Sequence, residues 1–253
     1  MQGLDILTTM PVALKTTQNH FPMNVAALPP LTYEKPILTV DVAALRLHGG
    51  QLQVALLPRA EAPFAGKLAL VGGFVHTDKD EDTDATALRV LSHKLRFRPS
   101  HMEQVATISG AQRDPRGWSA SVVYLALLND EKACELNQVE DKLVWANVDE
   151  PLPELAFDHQ VLVTAAVYRL RSKAQYSSIA AHLLGATFTM PELHAVYERV
   201  LQRKLDRANF RRKALEMGGF RALGVLSEEG VVGRPGVCYR LDPGLTYVVR
   251  GLA

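Results

Sequence analysis

Two hydrophobic rhythms divide the chain beyond its first thirty or so residues. Apolar runs over Ile37 to Leu47 and Gln51 to Pro58, separated by Gly49-Gly50, predict two strands joined as a hairpin. Further β-rich runs cover Val105 to Gly110, Ser119 to Leu128 and Leu143 to Val148, with a helical stretch through Arg89 between the two groups. Pro151-Leu152-Pro153 closes this mixed part. Beyond it Val161, Leu162, Ala165, Ala166, Tyr168 and Leu170 follow a helical period, which predicts a long helix over Phe157 to Lys173; a short one follows from Ser178 to Leu184, stopped by Gly185. The pattern gives an α+β domain over residues 33–152 and a mainly α domain over 153–253. Residues 1–32, with Phe21, Met23 and Pro29-Pro30, show no sustained period and read as an extension.

The second domain carries well-marked helix ends. Thr189-Met190-Pro191-Glu192 is a capping box, with Phe188 and Leu193 placed as a hydrophobic staple; such a cap contributes about 1 kcal/mol. Leu193, Val196, Tyr197 and Val200 share one face of a helix expected to run to about Gln202. After an Arg203-Lys204-Leu205 turn, Asp206 caps a second helix, with Leu205 and Phe210 in staple positions and Gly218-Gly219 at its end. Two capped helices joined this tightly form a helix-turn-helix. The second presents Arg207, Asn209, Arg211, Arg212 and Lys213 while Phe210, Ala214 and Met217 face inward. Gly224 to Ser227 and Val237 to Leu241 then resemble a hairpin around Glu228-Glu229-Gly230, a wing with Arg234 near its tip and placed for a phosphate or minor groove.

Charge sharpens this division. The net charge of +1 over 253 residues conceals a carboxyl-terminal part, Ala156 to Ala253, with 14 Lys and Arg against 8 Asp and Glu, and a remainder with 14 against 19. Seven cations lie between Arg199 and Lys213 against one acid, Asp206, which serves as a cap. A basic helix is often only a solvated face, but this concentration on a capped second helix fits a recognition helix, with arginine available to guanine and asparagine to adenine. Arg203 and Lys204 join the candidate DNA contacts. No run approaches the roughly 20 apolar residues of a membrane span, and no secretory leader is recognisable, so no membrane partner and a cytoplasmic location are expected. Cys134 and Cys238 fit no metal spacing and read as free thiols.

The mixed domain carries candidate ligand chemistry. Gln112-Arg113-Asp114-Pro115-Arg116-Gly117-Trp118 is a polar turn with two guanidinium groups, which match phosphate geometry, and a ring able to stack on a base or ribose. Arg113, Asp114, Arg116 and Trp118 are therefore candidates, although a plain loop tip is the bland alternative. Arg59, after the second strand, and Lys67, before Gly72, extend the set.

Gly72-Gly73-Phe74-Val75 followed by Arg89-Val90-Leu91-Ser92-His93-Lys94 resembles a Nudix box. That signature runs glycine, five residues, glutamate, seven residues, then Arg-Glu-aliphatic-x-Glu-Glu-x-Gly-aliphatic, and its glutamates hold divalent metal. Counting from Arg89 puts Glu81 on the first glutamate, Val90, His93 and Lys94 on three more, Arg96 on the glycine, and Leu91 and Phe97 on the aliphatic positions. Fifteen residues separate Gly73 from Arg89 where the signature has thirteen. Mg²⁺ favours carboxylate oxygen, so neither metal nor hydrolysis is expected. The acids Asp78, Asp80, Glu81, Asp82 and Asp84 either form a relocated metal site or, more simply, a solvated entry into a helix N-terminus. By the resemblance, Glu81 pairs with Arg89.

With the Arg113 to Ser119 loop, Phe188 to Leu193, Leu205 to Lys213 and Gly233-Arg234-Pro235 in this order, the chain from about Tyr33 resembles the NrtR-type, Nudix-related transcriptional regulators. The resemblance implies a Nudix-like mixed-sheet α/β/α sandwich that binds ADP-ribose or a related NAD-derived nucleotide, with Gly72, Gly73 and Phe74 added to the effector-binding set, followed by a winged helix-turn-helix. It implies a homodimer that represses genes of NAD synthesis or salvage on a palindromic double-stranded operator, and releases it when the effector binds. Two other readings stand beside it: a Mg²⁺-dependent ADP-ribose pyrophosphatase whose carboxyl-terminal domain only dimerises, and a related regulator that senses a sugar or another non-NAD ligand.

Overall fold

The computed structural model describes residues 35–129, 133, 135–136, 142–225, 237–248 and 251; the expected extension over 1–32, Cys134 and the wing tip with Arg234 lie outside them. Pro36–Ala253 forms one compact unit. Its larger sheet has seven strands: β1 (Ile37–His48), β2 (Gln51–Pro58), β3 (Leu68–Ala69), β4 (Val71–Phe74), β5 (His101–Gly110), β6 (Ser119–Leu128) and β7 (Val144–Asn147). The order β3-β2-β1-β6-β5 forms its spine, β4 adds to β1 and β7 to β2, and only β1 with β6 is parallel. The sheet is therefore mixed, as expected.

Strand β1 explains the layering. Its side chains alternate between faces: Val40, Val42 and Ala44 pack with α1 (Thr83–Leu95), while Ala43 and Leu45 join the cluster containing α2 (His159–Ala174). Helices thus cover both faces. Beyond α2 come a 3₁₀ helix (Ser178–Leu183), β8 (Phe188–Thr189), α3 (Met190–Leu201), α4 (Arg207–Met217), β9 (Phe220–Val225) and β10 (Val237–Leu241), the last two antiparallel. Strands β8, β10 and β9 make a second, small sheet.

Several boundaries move from their expected places. Strand β5 begins at His101, four residues before the predicted Val105, because a bulge between Gln104 and Ala106 breaks the alternation that would have revealed it. Strand β9 begins at Phe220 rather than Gly224, so the chain turns at Gly218-Gly219 straight into a strand. The capping box at Thr189 and the Asp206 cap form as predicted.

Helix α1 ends on Arg96, whose φ of 51° is left-handed. That backbone position is where the Nudix signature has glycine, and an L side chain there costs about 1–2 kcal/mol. Edge strand β5 is tied to α2 by Glu103, which accepts hydrogen bonds from Arg169 Nε at 2.8 Å, His101 Nε2 at 3.2 Å and Lys173 Nζ. Burial alone would raise its pKa, but these donors together outweigh burial and lower it to about 2.

Arg96→Gly is expected to raise stability by roughly 0.5–1 kcal/mol in denaturant unfolding, since glycine enters the left-handed region freely. Glu103→Gln leaves the buried Lys173 ammonium without its counter-ion, and a loss of roughly 3 kcal/mol is expected. Because the folded pKa of Glu103 lies below its unfolded value, its contribution is complete above about pH 4.5 and declines as pH falls towards about 2. Unfolding measured across that window should be less steeply pH-dependent in Glu103→Gln than in the parent.

Candidate functional site

A cavity of about 620 Å³ opens where β1 and β4, the loop after β2, α1, the turn before β6 and the residues leading into α2 meet. Its floor is set by strand pairing: Gly72 lies opposite Asp41, and a Cβ at residue 72 would stand 1.9 Å from Asp41 Oδ1 and 2.8 Å from the Val40 carbonyl. Only glycine fits there. Asp41 itself is buried and accepts from Ser121 Oγ at 2.6 Å. His159, at the start of α2, accepts the Leu70 amide on Nδ1 at 2.9 Å, which leaves the ring proton on Nε2, 3.7 Å from Asp41 Oδ1. Burial lowers the His159 pKa against the opposing pull of Asp41.

Three arginines predicted as ligand groups reach this cavity, each already engaged. Arg113, only 8% exposed, forms two 3.0 Å hydrogen bonds to the Asp158 carboxylate and one of 3.2 Å to Ser119 Oγ. Arg116 grips Asp114 through Nη2 at 2.7 Å and Nε at 3.0 Å, and its guanidinium lies 5.0 Å over Phe74 and 5.6 Å over Phe157. Burial raises the Asp114 pKa, but its bonds from Arg116 prevail and the net shift is downward. Arg59 donates from Nε to the Pro63 carbonyl at 2.8 Å and sits 4.6 Å over Phe157. Burial, then the neighbouring Arg116, lower its pKa.

The segment before and within α1 departs from the expected pairing. Arg89 binds Asp80, not Glu81: Nε reaches Oδ1 at 2.6 Å and Nη2 reaches Oδ2 at 2.7 Å, with the His76 amide and Thr86 hydroxyl completing the Asp80 carboxylate. The longer loop shifts register by one residue and leaves Glu81 exposed. Asp80 is held well below the usual carboxylate range, first by the bond from Arg89. Asp82 caps α1 by accepting the Ala85 amide at 2.7 Å, and Asp84 accepts from Tyr124, whose pKa burial and Asp84 push up to about 12. Val90 is buried and close to Gly73, while His93 and Lys94 line the cavity. Lys94 is open to solvent, but its ammonium turns inward to donate to the Gly72 carbonyl at 2.6 Å. Surrounding protein disfavours its charged form and lowers its pKa, with Asp41 opposing.

Gly72, Gly73, Phe74, Arg59, Arg113, Asp114 and Arg116 are thus brought together. Lys67 and Trp118 are not: Lys67 pairs with Glu154, and Trp118, 50% exposed, does not line the cavity. Sequence reasoning missed Asp41, Lys94, Phe157 and His159. The only available signal for the last two was their place at a helix entry; the bond that draws this entry to the cavity spans 45 positions.

In the second half, α3 and α4 meet through a stapled turn. Glu198 accepts the Leu205 amide at 2.9 Å and Lys204 Nζ at 3.4 Å, and His194 Nε2 lies 2.9 Å from the Leu205 carbonyl. Phe210 is buried against Tyr197 and His194, with ring centroids 5.1 and 5.2 Å away. This fixes α4 with Arg207, Asn209, Arg211 and Arg212 exposed and Lys213 half-buried. Arg212 is partly occupied, donating to Glu216 at 2.7 Å and Asn209 at 2.9 Å. Arg203 is exposed in the turn.

Comparison with known proteins settles the relationship. The chain is 38% identical over 187 residues, 74% of its own length and 75% of the relative's, to the ADPR responsive transcriptional repressor NtrR of Acinetobacter baylyi. The chain belongs to the NrtR family of transcriptional regulators. Residues 180–241 match the family described as the NrtR DNA-binding winged helix domain, so the family likeness includes α3, α4 and both strands of the wing. The crystal structure of Shewanella oneidensis NrtR complexed with a 27mer DNA superposes with a TM-score of 0.77 at 33% identity, covering 85% of this chain and 99% of that one. The NrtR architecture, a Nudix-like domain followed by a winged helix, is therefore the architecture of this chain. An ADP-ribose pyrophosphatase of Methanocaldococcus jannaschii is 30% identical over 112 residues, 44% of this chain and 63% of that protein. Among the described residues, no helix is long and apolar enough to cross a membrane.

Proposed function

We propose that this NrtR-family chain is a repressor of NAD synthesis or salvage genes that binds ADP-ribose or a related NAD-derived nucleotide in the Nudix-like cavity and then releases its operator. The observation that carries this reading is the position of α2. Phe157 and His159, at its start, line the cavity, and its last turns reach the helix-turn-helix: Arg171 Nε donates to the Val200 carbonyl at the end of α3 at 3.1 Å. One helix therefore touches both candidate sites, as coupling between them requires. The names and complexes of the Acinetobacter and Shewanella relatives support the same ligand and partner.

Helix α4, with 11 residues and a length of about 16 Å at 1.5 Å per residue, reads one half-site. A homodimer on a palindromic operator supplies the second. Val90, His93 and Lys94 stand where a hydrolase has glutamates, and three carboxylates of the acidic run are already committed to Arg89, the α1 cap and Tyr124. This supports binding without hydrolysis. The pyrophosphatase relative favours a second reading, which Mg²⁺-dependent turnover of ADP-ribose by the purified chain would establish in place of the first.

A mobility shift on the upstream DNA of its own gene should show a complex that ADP-ribose dissolves; a complex indifferent to ADP-ribose would refute the effector. Arg211→Ala should weaken operator binding by about 1–3 kcal/mol, with a loss that depends on operator sequence. In thermal-shift titration with ADP-ribose, Phe157→Ala should diminish the stabilisation while Trp118→Ala leaves it close to the parent's, because only Phe157 lines the cavity.

A further inference from the structure

The cavity's charge is distributed unevenly in a way the effector reading alone does not explain. Arg89, Arg113 and Arg116 each face a carboxylate at close range, Asp80, Asp158 and Asp114. Lys94 and Arg59 do not: among the described residues no carboxylate lies within ion-pair distance of either, and they donate to the backbone carbonyls of Gly72, Pro63 and Glu61. Two cations without acid partners therefore line one concave site, and a polyanionic ligand would supply the missing counter-charge.

The same wall does not suit a divalent cation. Asp41, Glu61 and Asp114 are its carboxylates; Asp41 already accepts Ser121, and Asp114 is bound by Arg116. Among the described residues no three His, Cys, Asp or Glu side chains are grouped to hold a metal ion. The Lys94 ammonium, bonded to the Gly72 carbonyl, repels a cation further. Hard divalent ions need several oxygen ligands, which this wall does not offer.

Resting on the reading of the cavity as a nucleotide site, we propose that Lys94 takes over the role of a metal ion here: with Arg59, which lines the same cavity, its ammonium binds the diphosphate of a nucleoside diphosphate ligand directly, and recognition is metal-independent. Lys94 reaches the cavity because α1 places it one turn beyond Val90, on the side facing Gly72 and Gly73, where its Nζ keeps two further N–H groups beyond the one given to Gly72. Val90 makes the neighbouring wall apolar and close-packed, which leaves Lys94 as the cation that α1 directs against the floor.

The test is calorimetric titration of the full chain with ADP-ribose and, separately, inorganic pyrophosphate, each in EDTA and in excess Mg²⁺. The parent should bind equally in both conditions. Lys94→Gln keeps an N–H donor for the Gly72 carbonyl but removes the charge, and it should bind about tenfold more weakly or worse, as loss of a charge-assisted hydrogen bond implies; Lys94→Arg should retain most of the affinity. Abolition of parent binding by EDTA, or Lys94→Gln binding as the parent does, would overturn the proposal. Binding of pyrophosphate but not ADP-ribose, with the same dependence on Lys94, would uphold the diphosphate site and refute the effector assignment. Binding of neither would refute both.

Discussion

The structure depends on a single apolar stripe, that of α2. Leu162, Val163, Ala166, Val167, Leu170 and Ala174 are all buried and belong to one cluster that also contains Leu45, Leu125 and Leu127 of the sheet and Leu193, Tyr197 and Phe210 of the helix-turn-helix. Exposing the four larger members would cost on the order of 6–12 kcal/mol, comparable to the whole stability of a domain. The helix cannot leave the sheet without also disturbing the support of α3 and α4. Packing therefore runs without a break past residue 152, from the sheet through α2 to the helix-turn-helix.

The opposite end of α2 explains the electrostatics of the cavity. An Asp at a helix N-cap ordinarily turns back to its own backbone. Asp158 makes no such bond and gives its carboxylate to Arg113. Phe157, at a φ of 53°, is held where a bulky side chain is strained, with the guanidinium groups of Arg59 and Arg116 lying 4.6 and 5.6 Å over its ring. The lead-in to α2 is consequently fixed by the arginines that sequence reasoning had assigned to ligand. Those residues serve both the fold and the candidate site, and the two roles are in tension by construction.

What could be read in advance follows the range of the interactions. Caps, staples and turns are set by residues within five positions of each other, and Thr189, Asp206 and the Gly49-Gly50 turn formed where expected. The cavity depends on pairings that cross the chain: Arg113 with Asp158, His159 with Leu70 and Asp41, Gly72 against Asp41. No local pattern reveals them. Counting along the Nudix signature failed at Arg89 for the same reason, since the signature fixes spacing and the longer loop altered it, so Asp80 reached the guanidinium first. The motif still located the helix and the glycine floor, because those follow from backbone geometry.

Under the proposed coupling, these features meet in one thermodynamic condition. A ligand shifts a protein between two arrangements only by the difference in its affinity for them. Contacts made to a rigid wall, such as the Gly72 floor, are the same in both arrangements and add affinity without signal. Contacts made to the lead-in of α2 can differ, because this segment is held by the Arg113–Asp158 ion pair and by cation–π contacts that an anionic, aromatic ligand would compete for. Affinity and response then reside in different parts of one cavity: Lys94 and the floor hold the ligand, while Arg113, Arg116 and Phe157 let the protein register it. Reciprocity follows, so operator DNA that favours the unliganded placement of α4 must weaken the ligand by the same factor by which the ligand weakens the operator.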